Sequence, residues 1–338
     1  MSVTRRTMLG AIATSPLWLQ PAWAQPNNLK ISHQFPGGSV AEGDFRDRLC
    51  RMFAADVERR THGGLKFSIY PGSALSQANA QFPALRKGSL DMALVPLSYA
   101  GAELPEVNIG LMPGLVTSYE QGYAWKNAEV GKELTRILAD NGIVIVSWIW
   151  QAGGVASRSK AIVDPEDVRG LKVRGGSPEM DLILNAAGAN VVSGPSDEIY
   201  AGMRTGTMDA ALTSSTSLIS FRLQEVSKSL TTGRGGAYWF MFEPLMMSKT
   251  VFDRLSKEQQ AAIMAVGADL EGFARKMAQA DDAAVAAVYQ RAGARVVDLN
   301  SATLKKWQDI ARDTAWKDYG ERNANCANLL ALAEKTIT

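Results

Sequence analysis

Histidine and cysteine are nearly absent from this chain. Two of each occur in 338 residues: His33, His62, Cys50 and Cys326. Soft-ligand metal centres and thiol redox motifs need clusters such as CxxC, and none is present. Serine-nucleophile and zinc-hydrolase patterns (GxSxG, HExxH) are missing too, and no carboxylate pair stands out for acid–base work. Neither a catalytic set nor a metal or other cofactor is therefore expected. Apolar runs are short, below the ~20 residues that span a bilayer. Charge of one sign is also lacking. Arg5 and Arg6 are the only charged residues among the first 24, so without that segment 34 basic residues face 34 acidic ones. A formally neutral chain has no field to recruit nucleic acid or anionic lipid. No repeat and no low-complexity segment is visible.

The N-terminus carries the order of an export leader. Arg5-Arg6 is followed by an apolar stretch over residues 8–19 and by the small-x-small site Ala22-Trp23-Ala24. Cleavage is expected after Ala24. The paired arginines fit a twin-arginine signal and an ordinary secretory signal alike. Export to an oxidising compartment permits a Cys50–Cys326 disulfide tying the first helix to the C-terminal segment, and that bridge is the expectation; two separate buried thiols are the alternative.

Strand and helix patterns alternate along the rest. Strands are expected at 29–33, 65–70, 92–95, 143–150, 171–174, 190–192, 208–212, 240–248 and 295–297. Helices are expected at 44–61, 82–87, 120–140, 178–187, 196–205 and 304–315. Ser256 with Gln259 three residues on is a capping box. It opens a helix running to about residue 290, roughly 50 Å at ~1.5 Å per residue, long enough to brace two domains. The β-α-β order implies α/β lobes. The fold class expected is two-lobed α/β, with a ligand cleft between the lobes and the long helix spanning both. The divisions are 1–24 leader, 25–150 with 240–279 as the first lobe, and 151–239 with 280–338 as the second.

One segment has the chemistry of an anion site. Leu171-Lys172-Val173-Arg174-Gly175-Gly176-Ser177-Pro178 runs from a strand into a helix start, with Ser177 as N-cap and Pro178 as first helical residue. Free helix N–H groups and a guanidinium suit a carboxylate. Equally, Lys172 and Arg174 share the solvated side of a strand. Thr213, Ser214 and Ser215 begin a run of five hydroxyl residues at the next strand's carboxyl end, suited to hydrogen-bonding a polar ligand or to capping the following helix. Tyr99, Trp148, Trp150, Trp239, Phe240 and Phe242 lie near strand ends or turns; most buried aromatics are core, and at most two of these are expected to line a pocket.

The chain resembles the solute-binding subunits of tripartite ATP-independent periplasmic (TRAP) transporters over most of residues 29–335. The matching pieces are His33, Tyr70-Pro71-Gly72-Ser73-Ala74-Leu75, Arg86-Lys87-Gly88-Ser89-Leu90-Asp91-Met92-Ala93, Pro165-Glu166-Asp167 through Gly170-Leu171-Lys172-Val173-Arg174, Glu198-Ile199-Tyr200, Asp209, and Phe252-Asp253 with Leu255. The resemblance implies a periplasmic binding protein, not an enzyme, with Arg174 holding a ligand carboxylate, Ser177 facing the ligand, and Thr213 where many members carry Asn. Gly154 stands where sialic-acid binders carry a second arginine. The expected ligand is a small organic acid: a monocarboxylate with an apolar body, aromatic or aliphatic, with a 2-oxo or 2-hydroxy group served by the hydroxyl run. The expected partners are the integral membrane subunits of a TRAP transporter, with the chain itself a monomer. A sensor's binding protein, or a periplasmic lyase or hydrolase on the same scaffold, are the alternatives.

Overall fold

The computed structural model describes residues 27–234 and 237–337; the expected leader lies outside them. Apolar residues at helical spacing decide the first helix, α1 (Phe45–Arg60), where Phe45, Leu49, Phe53 and Val57 form one buried stripe and the Asp44 carboxylate caps the N-terminus. It lies between β1 (Asn27–His33) and β2 (Leu65–Tyr70), and α2 (Ala78–Arg86) leads on to β3 (Met92–Leu94). Two 3-10 turns, Leu97–Ala100 and Pro105–Leu111, precede α3 (Tyr119–Ala124), α4 (Glu129–Asp140) and β4 (Ile143–Ser147). The helix expected over 120–140 is thus interrupted at residues 125–128. There the chain turns to bury Trp125, whose indole donates to the Thr336 hydroxyl at 3.0 Å.

The second lobe begins with β5 (Trp150–Ser157), followed by β6 (Lys172–Arg174), α5 (Pro178–Ala186), β7 (Asn190–Val192), α6 (Ile199–Thr205), β8 (Ala210–Ser214), α7 (Ser215–Ser220) and β9 (Ser229–Thr232). The chain then returns through β10 (Phe240–Phe242) and β11 (Leu245–Ser248) to a short helix, α8 (Lys249–Phe252). The first sheet has the order β2-β1-β3-β11-β4, and the second β12-β9-β5-β8-β6-β7 with β10 paired to β5; β12 is Arg295–Asp298. The single strands expected at 143–150 and 240–248 each divide where the chain passes between sheets. β4 gives way to β5 at Trp148-Ile149, and β10 to β11 at Glu243-Pro244. The two crossings run side by side, tied by the Glu243 amide donating to the Ile149 carbonyl at 2.9 Å.

The bracing helix is two abutting helices, α9 (Lys257–Asp269) and α10 (Glu271–Arg291), with the Ser256–Gln259 capping box in place. The i→i−4 bonds continue through the Leu270 junction, from its amide to Val266 at 3.1 Å and from Ala274 to Leu270 at 3.0 Å. α9 packs on β4 and α1 of the first lobe, and α10 on α7, β9 and β12 of the second. Helices α11 (Ser301–Ala311), α12 (Lys317–Arg322) and α13 (Ala324–Glu334) finish the chain. This tail touches both lobes: α11 packs on α5, whereas α13 packs on α4 and on the 105–111 turn.

The expected disulfide is absent. Cys50 and Cys326 are both free and buried. Cys50 lies on α1, which packs on β2, α9 and α10, while Cys326 lies on α13 beside Tyr319 and Glu106. The two helices have different neighbours, so the sulfurs do not meet. Burial pushes both thiols up, that of Cys326 to about 11, which keeps them protonated and inert.

Candidate ligand-binding site

Arg174 ends β6, and α5 begins four residues later with Ser177 as N-cap, its hydroxyl accepting from the Met180 amide at 3.1 Å. The guanidinium is buried at 3% exposure in the cleft between the lobes. Its Nε donates to the Gly194 carbonyl at 2.9 Å, Nη1 to the Leu212 carbonyl at 2.8 Å, and Nη2 to the Tyr99 hydroxyl at 3.0 Å. A guanidinium has five N–H donors. These three bonds aim the group and leave one hydrogen on each Nη for a ligand. Gly176 lets the chain pass: its φ is +98°, and a Cβ there would lie 2.7 Å from Arg174 Nη1.

The cavity around Arg174 is lined from both lobes, by Pro96, Tyr99 and Leu111 of the first, by Ser196, Leu212 and Thr213 of the second, and by Trp239 and Met241 of the return segment. Tyr99 joins the lobes, its hydroxyl accepting also from the Ser196 amide at 2.9 Å. Ser98 donates across the cleft to the Gly176 carbonyl at 3.2 Å, and Ser73 to Asp197 at 2.8 Å. The lobes are therefore in contact, in a closed arrangement. Ser177 lines an adjoining open cleft with Ser98, Gly176 and Asp181, and its hydroxyl donates to the Leu111 carbonyl at 3.4 Å. Burial raises the Asp181 carboxyl to about 6, against the opposing pull of Ser193 and Arg174. Trp239 seats its ring edge on Gly153, where a Cβ would be 2.1 Å away; its indole N–H is buried and has no partner among the described residues. Gly154 leaves no room for an arginine either, since a Cβ there would lie 2.5 Å from the Thr231 carbonyl.

Of the residues singled out from sequence, Arg174, Thr213, Tyr99 and Trp239 share this one cavity. Three others stand apart. Trp150 is fully buried in the hinge core, edge-on to Trp125 and tilted against Phe242. Ser214 caps α7 and bonds Ser217. Ser215 donates to Asp282 on α10 at 2.7 Å. Ser214 follows Thr213 at the end of β8 and turns its hydroxyl to the α7 cap, and Ser215 has already left the strand for the first turn of α7. Phe240 also points away, packing edge-on against Tyr119. Met241 lines the cavity and escaped sequence reading, although it lies one residue from Phe240 and so on the opposite face. Leu111 and Ser196 sit in turns whose position no local pattern announces. No group of three or more His, Cys, Asp or Glu side chains suited to a metal occurs among the described residues.

Two α/β lobes, paired crossing strands, a bracing helix and a closed interlobe cavity centred on one buried cation define the class: a two-lobed solute-binding protein. The chain matches the family described as bacterial extracellular solute-binding protein, family 7, over residues 37–323, and it belongs to that family, the solute-binding subunits of TRAP transporters. A solute-binding protein of Albidiferax ferrireducens is 67% identical over 329 residues, 97% of each chain. The crystal structure of a TRAP periplasmic solute-binding protein from Rhodoferax ferrireducens with bound malonate is 69% identical, with a TM-score of 0.90, covering 91% of this chain and 98% of that one. The 2,3-diketo-L-gulonate-binding periplasmic protein YiaO of Escherichia coli is 26% identical over 266 residues, 77% of this chain and 79% of that one.

Proposed function

We propose that this chain is exported, captures a small carboxylate between its lobes with Arg174 as the anchor, and delivers it to the integral membrane subunits of a TRAP transporter. The observation that carries this reading is the buried Arg174 guanidinium, held by three protein acceptors with two hydrogens unspent in a cavity walled by both lobes. A carboxylate bridging those hydrogens satisfies the charge and the donors at once. Thr213 and the Trp239 indole N–H stand ready for an oxo, hydroxyl or second carboxylate group. The malonate bound by the Rhodoferax ferrireducens relative widens the expected ligand from a monocarboxylate to short mono- and dicarboxylates. The chain acts as a periplasmic monomer that binds without turning the ligand over, in keeping with a family of binding proteins. No helix among the described residues is long and apolar enough to cross a membrane.

Isothermal titration against malonate, succinate, pyruvate, benzoate and glucose tests the ligand class. Tightest binding to one of the short acids is expected, with compaction in small-angle scattering. Preference for the neutral sugar, or heat from none of the acids, overturns it. Mature protein recovered from the periplasm should begin at Gln25.

A further inference from the structure

A second guanidinium lies wholly buried between the lobes, and it is not a ligand clamp. Arg46, in the first turn of α1, grips Asp44 with two parallel bonds, from Nε to Oδ1 at 2.9 Å and from Nη2 to Oδ2 at 2.7 Å. Its Nη1 reaches Glu243, in the crossing between β10 and β11, at 3.2 Å, and the side chain of Gln151 donates to that same carboxylate. The Phe35 ring covers the guanidinium at 3.5 Å. On the other side of the interface the Ser217 hydroxyl accepts from Nη1 and Nη2, both at 3.1 Å, and the Ser214 hydroxyl lies 3.5 Å from Nη1. Every N–H is thereby spent on protein acceptors.

We infer that Arg46 is a closure latch: a positioning residue that grips the β8–α7 corner of the second lobe through Ser217 when the lobes close on ligand. Three features support this. The cation's two carboxylates come from the first lobe and the crossing, so its charge stays neutralised when the lobes part. Ser214 donates to Ser217 at 3.0 Å within their own lobe, so the hydroxyls are not orphaned either. The bonds between the two sides are thus the ones that opening exchanges for water, which is how a reversible contact is built. Their target adjoins the ligand cavity, because Ser214 directly follows the cavity-lining Thr213 on β8. The latch therefore registers the same strand end that the ligand meets.

The inference rests on the clamp reading, and its test separates the two. Arg46→Met would strand two buried carboxylates, so the informative variant is Ser217→Ala. It deletes the hydroxyl shared by both Nη atoms, together with the Ser214 donation to it, and leaves Asp44, Glu243 and the Ser214 cap on the Ser217 amide intact. Spin labels on Lys66→Cys and Arg204→Cys, exposed on opposite lobes, report the interlobe distance without ligand. Stopped-flow with malonate reports the rates. The expected result is a ligand-free distance distribution shifted to longer separation, with malonate koff raised about tenfold, the scale of one hydrogen bond to a charged group. The on-rate and the ligand-free Tm should stay unchanged, and Ser217→Thr should restore the slow off-rate. Unchanged distances with unchanged koff overturn the latch, as does a fall of several degrees in ligand-free Tm with koff unaltered. If the wild type does not bind malonate, the ligand class fails and the ligand-free distances still decide the latch.

Discussion

Arg174 shows how a side chain can be buried, charged and available together. Its three protein partners are two backbone carbonyls and one phenol, none of them anionic. The positive charge is oriented without a carboxylate bonded to it, Asp181 acting on it only through space, and that leaves it able to draw in an anion. Arg46, clasped by Asp44 and Glu243, is the counter-example in the same molecule. Breaking one side of a buried, hydrogen-bonded charge pair costs roughly 2–5 kcal/mol. Arg174→Ala should therefore weaken carboxylate binding by about one and a half to nearly four orders of magnitude in calorimetry. Arg174→Lys should also bind poorly, since a point charge cannot hold three fixed acceptors and fork a carboxylate as well. Near-wild-type affinity in either variant removes Arg174 as the anchor.

Among the elements, the bracing helix comes close to the first sheet at Gly267. A Cβ there would lie 2.1 Å from the Val146 carbonyl on β4, so α9 meets the first sheet backbone to backbone. In an isolated helix Gly267→Ala would gain about 1 kcal/mol of propensity. Here the added methyl meets backbone that cannot rotate away, and overpacking of this kind costs about 1–3 kcal/mol. The variant should melt several degrees below wild type by calorimetry despite its better helix former; a rise in Tm would show that the helix is free to lift. The capping box at Ser256–Gln259 was legible because its signal is local. The junction at Leu270, the break at 125–128 and the divided crossing strands were not. Periodicity reports which residues are apolar, whereas each of those interruptions reflects where the chain must change partners.

At the scale of the whole molecule, buried carboxylates set the response to pH. Burial pushes Glu179 and Glu243 up to about 7, in spite of their bonds to Arg322 and Arg46. Asp44 and Asp47 are held below the usual carboxylate range by Arg46 and by His33 and Arg51, overcoming the opposing effect of burial. The signs are opposite. A carboxyl raised in the folded state binds its proton more tightly there than in the unfolded chain, so the stability it contributes falls as pH climbs from about 4.5 toward 7. A lowered carboxyl contributes stability that is lost as pH drops below about 4. Urea midpoints should therefore peak near pH 5 and decline both toward pH 7.5 and below pH 4. A midpoint that rises steadily to pH 8 would mean that Glu179 and Glu243 are ionised at little cost in the folded protein.

What the sequence determined by itself was local in origin. The capped helix start after Arg174, the strand running into Thr213 and the order of α/β units are written in neighbouring residues, and they sufficed for the two lobes; the proposed role of Arg174 came from the family resemblance, not from local pattern. Tertiary structure alone decided which of Tyr99, Trp150 and Trp239 reach the cavity. All three are aromatic residues near strand ends, but Trp150 is claimed by Trp125 and Phe242 in the hinge core. It also decided that Cys50 and Cys326 stay apart, and that Arg46, unremarked in a charged stretch of α1, becomes the buried tie between the lobes. Those outcomes depend on contacts between residues up to nearly two hundred positions apart, as with Arg46 and Glu243. No window of neighbouring residues encodes such contacts; they arise when the two lobes pack against each other.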